Sequence, residues 1–355
     1  MRALVLTDFH QLDVVQVPTP EPGPDEVLLR IVATGICGSD FHGFTGENGR
    51  RIPGQIMGHE SAGTIAGLGG GVDPAAYPIG AAATFNPVIV PAEDLAAYAG
   101  REQHHPDKTV VGVAHDYRAS FADYVVVPAR NIVLLDQDLP VALGALIEPV
   151  AVALHAVRRA GAAPDARAVV IGGGPIGQSV VLALLIEGIT DIVLSEPSAP
   201  RRELAAGLGA HAVGPADGPL DEVVREHFGA PADLALDAVG ITPTFADALK
   251  VTGLGGSVVL VGMGSPELSV PAFAISTEER TVFGSFTYTA QDFADAAAWV
   301  GTHADVVAPM VSETVTPDAA QDAFARLAAG AEVPGKILVG FADADADPDA
   351  EEALR

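Results

Sequence analysis

The sequence predicts an α/β plus β chain of two domains, and three observations carry that prediction. A β-branched run at 169–171 breaks into Gly172, Gly173 and Gly174 and resumes as an apolar segment to Ile186, the pattern of a strand, a tight turn and a helix. Strand and helix patterns then alternate as far as Val261, which implies a parallel sheet wrapped by helices. Ahead of them, short apolar runs such as 3–6 and 26–32 are separated by Pro18, Pro20, Pro22 and Pro24, which implies an all-β module. The expected division is a β-rich domain from residues 1–147 and 285–355, with residues 148–284 inserted as a doubly wound sheet.

In chain order, residues 34–43 and 57–63 read as glycine-rich loops. They hold Cys37, Ser39, His42, His59 and Glu60, side chains that bind metals or move protons. A strand pattern resumes at 121–127. Residues 139–162 read as helix interrupted at Pro149, which lacks an N–H and clashes with the preceding turn. Glu148 therefore sits at a break in an apolar setting, where a carboxylate needs a partner. Alternating elements follow at 204–208, 210–213, 220–228, 233–236, 245–249 and 258–261. A helix at 290–300 and a strand at 336–339 close the fold, and the acidic tail 342–355 is expected to be solvated and disordered.

The central turn matches G-x-G-x-x-G through Gly172, Gly174 and Gly177, with Pro175 and Ile176 opening the helix. Gly172 permits the turn, Gly174 clears space for a pyrophosphate, and Gly177 lets the helix sit close on the strand. The helix N-terminus then faces the phosphates. The next strand pattern, 191–195, ends at Glu196, where an acid binds the ribose hydroxyls of NAD and repels the extra phosphate of NADP. NAD is the expected cofactor and NADP the less expected one. Arg201 is expected over the adenine, and Val239, Val261 and Ser285 lie just past strand carboxyl ends, where such sheets bind ligands.

A net charge of -27 argues against nucleic acid or an anionic membrane as partner, since both need basic patches. One cysteine excludes an intrachain disulfide, and no apolar run is expected to reach the length of a membrane span. The N-terminus meets Asp8 too early for a secretory signal, so a cytoplasmic protein is expected.

Cys37, His59, Glu60 and Glu148 offer a thiolate, an imidazole and carboxylates, the chemistry of a catalytic zinc site with one position left open. Taken singly, each equally suits a packed thiol, a hydrogen-bonded histidine or a helix-end acid. Taken together, residues 35–42, Gly58-His59-Glu60, Ile147-Glu148-Pro149, the glycine turn with Glu196, and Gly335-Lys336-Ile337-Leu338-Val339 make the chain resemble the zinc-containing medium-chain alcohol dehydrogenases. The resemblance is stronger to the sorbitol, butanediol and threonine dehydrogenase branch, and it covers nearly the whole chain.

That resemblance implies a GroES-like β-rich catalytic domain with an inserted Rossmann domain, and a homodimer or homotetramer formed mainly through the latter. It implies zinc, expected as one ion per chain, held by Cys37 and His59 with Glu60 or Glu148; because a thiolate and one carboxylate already neutralise the ion, one glutamate is expected in the inner shell at a time. Ser39 would pass the proton of an alcohol substrate toward His42, with Val152 near the nicotinamide, in reversible oxidation of a secondary alcohol, such as a polyol hydroxyl, to a ketone. The set at Phe41, Phe44, Thr45, Glu47, Asn48, Arg50 and Arg51 suits a hydroxylated substrate or a salt-bridged surface turn. Because His59 and Glu60 are adjacent, both can ligate only if the backbone there is irregular. Relatives carry four cysteines for a second, structural zinc where this chain has Pro91, Asp94, Ala97 and His105, so that site is not expected, and His104, His105, Asp107 and His115 are read as a polar surface loop.

Overall fold

The structure is a computed structural model that describes residues 1–47, 49–115 and 119–341. The tail expected to be disordered lies outside the described residues, as does Asn48. The chain divides into two compact units, Met1–Glu148 with Thr289–Arg355, and Pro149–Tyr288.

The first unit is built from short strands, as the proline-broken pattern requires. They are β1 (Arg2–Asp8), β2 (Gln11–Gln16), β3 (Glu26–Gly35), β4 (Gln55–Ile56), β5 (Glu60–Leu68), β6 (Ala82–Phe85), β7 (Val88–Ile89), β8 (Thr109–Val110), β9 (Tyr124–Pro128) and β10 (Ile132–Leu134). The inserted unit contributes β11 (Arg167–Ile171), β12 (Asp191–Ser195), β13 (His211–Val213), β14 (Ala232–Asp237), β15 (Thr252–Leu260) and β16 (Thr281–Gly284). The chain then returns to the first unit with β17 (Val311–Val315) and β18 (Lys336–Gly340).

The main sheet of the first unit runs β10-β6-β5-β3-β18-β17, with β9 also paired to β3. The first half of β3 alternates half-buried and buried residues, and its second half is buried throughout, because β5 and β18 flank it there. Leu29, Ile31, Phe85, Phe121, Val125 and Val339 fill the core beside it. In the second unit the parallel order is β13-β12-β11-β14-β15-β16, the doubly wound arrangement in which strand order reverses beside the first strand. Val169, Val193, Ala235, Phe245 and Leu249 form its core.

Two expectations need correction. Residues 34–43 and 57–63 are not simply loops: β3 runs to Gly35, a helix spans Gly38–Phe44, and β5 starts at Glu60. Some of the glycines there answer clearance needs rather than turns, since a Cβ on Gly63 would strike the Arg30 carbonyl and one on Gly35 the Glu60 carboxylate. The second correction concerns membrane-length runs. Among the described residues the stretch Val141–Ala160 is long and apolar enough to cross a bilayer, with mean hydropathy 1.6, yet 83% of it is buried within the protein. A 3₁₀ segment, Val141–Leu146, joins the α-helix Ile147–Ala160 end to end and makes the length. Pro149 falls in the first turn of that helix, where a missing N–H costs nothing, so the break lies just ahead of it.

Candidate metal centre and cofactor cradle

Three backbone devices bring the sulfur, imidazole and carboxylate together. Cys37 is the N-cap of helix Gly38–Phe44, and its N–H donates to Asp40 Oδ2 at 3.2 Å, which fixes the turn that carries the sulfur. Gly58 adopts φ 98, a left-handed conformation open to glycine, and a Cβ there would crowd the Phe121 N–H at 2.8 Å. His59 thus lies just before the regular strand and Glu60 is its first residue, the irregularity that lets neighbours face one centre. The ligand atoms of Cys37, His59 and Glu60 all lie within 4.8 Å of one another, and no other such trio occurs among the described residues. Glu148 is buried and stands outside this trio, but its charge acts on both His59 and Lys336.

Around the trio stands a buried ionic frame that spacing does not reveal. Asp40 is fully buried and accepts from Arg51 Nη2 at 3.2 Å, and its Oδ1 lies 3.7 Å from His59 Nδ1. His59 Nδ1 makes no hydrogen bond, and with Nδ1 turned to Asp40 the other ring nitrogen is left for an ion. Lys336 Nζ lies 2.8 Å from Glu60 Oε1 and 2.7 Å from Oε2, also fully inside the protein. Sheet register explains this pair. Glu60 on β5 and Leu338 on β18 both pair with Gly35 on the strand between them, so Glu60 reaches across a residue without a side chain to Lys336, which shares Leu338's face.

Charge decides what this pocket would hold. Among the described residues, Cys37, Asp40 and Glu60 offer three anionic groups against the two cations Arg51 and Lys336, an excess to which Glu148 adds through its action on His59 and Lys336, and a cation suits it. The same excess shows on His59. Burial disfavours its charged form, but Asp40, then Cys37 and Glu148, outweigh burial and raise its pKa from 6.5 to about 10. Lys336 follows the same logic: burial pushes down, Glu60 most strongly pushes up, and the result is a raised value. Soft sulfur, imidazole and carboxylate in a small pocket short of positive charge fit zinc.

Ser39 and His42 are three residues apart on helix Gly38–Phe44 and so share a face. Ser39 Oγ meets Arg51 Nη2 at 3.5 Å, while His42 is exposed and contacts Glu47 at 3.4 Å. The pair therefore runs from a half-buried hydroxyl to a solvent-facing imidazole. Arg51, read from sequence as substrate-facing or part of a surface turn, is instead buried, in space that Gly43 leaves by lacking a Cβ. Of the frame residues, Lys336 offered one signal, a cation inside an apolar strand pattern, while Asp40 and Arg51 offered none. His105, read as surface, is buried: its Nδ1 accepts from the Asp107 N–H at 3.0 Å, so Nε2 donates to Asp94 at 3.1 Å, and both ring nitrogens are spent.

In the second unit Gly172 turns at φ 96 and Gly177 allows no side chain, since a Cβ would meet the Gly172 carbonyl. A Cβ on Gly174 would approach nothing nearer than Arg201 Nη1 at 4.0 Å, so open space faces the helix N-terminus at Pro175. Glu196 is buried at the end of β12, where it accepts from the Gly173 N–H at 2.7 Å and the Ser198 N–H at 2.8 Å. These bonds aim the carboxylate while leaving lone pairs for ribose hydroxyls. Asp237 similarly accepts from the N–H groups of Val239 and Gly240, both at 2.9 Å, and so shapes the turn that carries Val239. Val261 is buried, and Ser285 Oγ is buried without a partner.

Residues 23–137 match the alcohol dehydrogenase GroES-like domain, and residues 175–302 match the zinc-binding dehydrogenase domain. The chain is 32% identical to the L-galactonate-5-dehydrogenase of Escherichia coli K12, over 83% of this chain and 85% of that one. It is 30% identical to the D-xylulose reductase of Saccharomyces cerevisiae, over 91% and 92% respectively. Among solved structures it superposes with a TM-score of 0.85 on a zinc-binding dehydrogenase of Sinorhizobium meliloti bound to NADP, at 29% identity, covering 96% of this chain and 98% of that one. The GroES-like and Rossmann units, the buried sulfur, imidazole and carboxylate, and these likenesses agree that the chain belongs to the zinc-type medium-chain alcohol dehydrogenases, in their sorbitol dehydrogenase-like branch.

Proposed function

We propose that this dehydrogenase oxidises a secondary hydroxyl of a polyol or sugar acid to a ketone, reversibly, with NAD as hydride acceptor. The observation that carries the reading is the convergence of Cys37, His59 and Glu60 within 4.8 Å in a pocket whose excess negative charge suits one divalent ion. The sugar-type substrate rests on the similarity to the galactonate and xylulose enzymes.

When bound, zinc supplies a Lewis acid that acidifies the hydroxyl, and NAD takes up the hydride. Cys37 and His59, with a carboxylate from Glu60 or Glu148, would hold the ion. Asp40 faces the imidazole of His59 at 3.7 Å, and Arg51 pairs with Asp40 in its buried position. Ser39 accepts the substrate proton and hands it to His42, whose exposed ring returns it to water. Glu196 supports NAD, because a buried carboxylate at the end of β12, held by the Gly173 and Ser198 N–H groups, would repel a 2′-phosphate. Arg201 stands beside Gly174, which suits contact with the adenine half of the cofactor.

We place the enzyme in the cytoplasm, on its single cysteine, and as a homodimer or homotetramer. For assembly, β16 is, among the described residues, a sheet edge paired only to β15, with Val282 exposed on it, Phe273 and Phe286 exposed on either side of it in sequence, and Leu254 exposed on β15. The direct test is a panel of polyols and sugar acids assayed with NAD and NADP side by side. Turnover confined to primary alcohols, or faster with NADP, defeats the reading.

A further inference from the structure

We propose that Lys336 is a positioning residue that decides which carboxylate enters the metal's inner shell, by holding Glu60 in a buried ion pair that competes with the ion for the same oxygens. The inference rests on the zinc reading of the Cys37, His59 and Glu60 pocket. Both Glu60 oxygens lie close to one ammonium nitrogen, Oε2 at 2.7 Å and Oε1 at 2.8 Å, but only Oε1 accepts a hydrogen bond from it, and both side chains are shut off from water. Glu60 is also within 4.8 Å of the sulfur and the imidazole nitrogen, so the same carboxylate faces two cationic claims.

Alternative partners for Lys336 are few. Cys37 and Glu148 act on it through charge, but Glu60 alone lies within bonding distance. A thiolate and one carboxylate neutralise zinc, whereas a second carboxylate in the inner shell makes the centre anionic and blunts its acidifying effect on an alcohol. The ammonium therefore draws Glu60 away from the inner shell and leaves a position there for Glu148 or for substrate. Gly35 is the enabling residue, because any side chain there would collide with Glu60 and press on the Lys336 stem at 3.3 Å.

Co(II) loaded into the full chain reads the coordination directly, through its d–d absorption and its rate of release to a chelator. Lys336→Met frees Glu60 to bind, so the absorption should weaken as coordination number rises and release should slow by about tenfold. Lys336→Arg should keep the wild-type spectrum, and Glu60→Gln with Lys336→Met should restore it, because an amide is a poorer ligand and needs no counter-ion. Lys336→Gln, which keeps a donor but not the charge, carries the same expectation at smaller amplitude should Lys336→Met not fold. An unchanged spectrum and release rate in the folded Met or Gln variant overturns the role of Lys336, as does a shift that persists in the double variant. Failure of the wild-type chain to take up Co(II) or zinc overturns the metal reading itself, which is a distinct outcome.

Discussion

Arg51 donates to Asp40 at 3.2 Å with both side chains wholly buried, and Asp40 in turn faces His59. Removing the guanidinium leaves an uncompensated buried carboxylate, which costs about 3–5 kcal/mol. Arg51→Met should therefore lower stability by that amount in denaturant unfolding, and Arg51→Met combined with Asp40→Asn should recover part of it. Equal stability of wild type and the single variant would contradict the frame described above.

Cys37→Ala removes the only thiolate in the chain and opens little space in a half-buried position. We expect a folded protein with zinc content near zero by elemental analysis and turnover below one thousandth of wild type, on the scale of losses when a catalytic unit is broken. Retained zinc with full turnover would show that the sulfur is not a ligand.

Metal binding should depend on pH through His59. A ligating imidazole must be neutral, while this one has its pKa raised from 6.5 to about 10, so an ion must displace a proton. In the metal-free protein that proton's contribution to stability is complete below pH 6.5 and is lost as pH rises through about 10, the expected sign for a raised histidine. Zinc affinity runs the other way and should gain about tenfold per pH unit between those limits from this proton alone. Competition titrations with a fluorescent chelator at pH 7, 8 and 9 measure it, and a flat profile would be incompatible with the ionic pocket.

Glu196→Gln keeps the volume and one acceptor while removing the charge proposed to meet the ribose. NAD should lose about 10–100-fold in kcat/KM, the worth of a charged hydrogen bond, and the NADP to NAD preference should shift upward. Steady-state kinetics with both cofactors decide it; an unaltered preference would mean that Arg201, rather than Glu196, sets the choice.

Val282→Lys places a charge on the exposed edge strand β16. If copies of the chain associate there, light scattering should show the wild-type oligomer falling to a monomer, with Val282→Thr unaffected. A wild-type monomer at micromolar concentration, or a lysine variant of unchanged mass, removes the proposed edge from consideration.

The stretch expected to be loop at 57–63 shows where sequence reading stops. Glycine signals a turn when considered alone, but Gly63 lies inside β5 because the neighbouring strand passes too close for a side chain, a fact set by a partner elsewhere in the chain. His105 misleads for a related reason. Its polar sequence neighbours suggest a surface loop, whereas its two hydrogen bonds satisfy a ring that is buried.

The sequence by itself determined the glycine turn at Gly172, the acid at Glu196, the alternation that makes the parallel sheet, and the kinds of donor at Cys37, His59 and Glu60. Each is a local matter, written in periodicity and in side-chain chemistry that no fold can alter. Only the tertiary structure decided that the ligand atoms of Cys37, His59 and Glu60 come within 4.8 Å of one another, that Lys336, 276 residues away, grips Glu60, and that Arg51 is interior. Those relationships follow from which strands become neighbours and in what register, and a pairing between distant strands leaves no spacing in the chain to read.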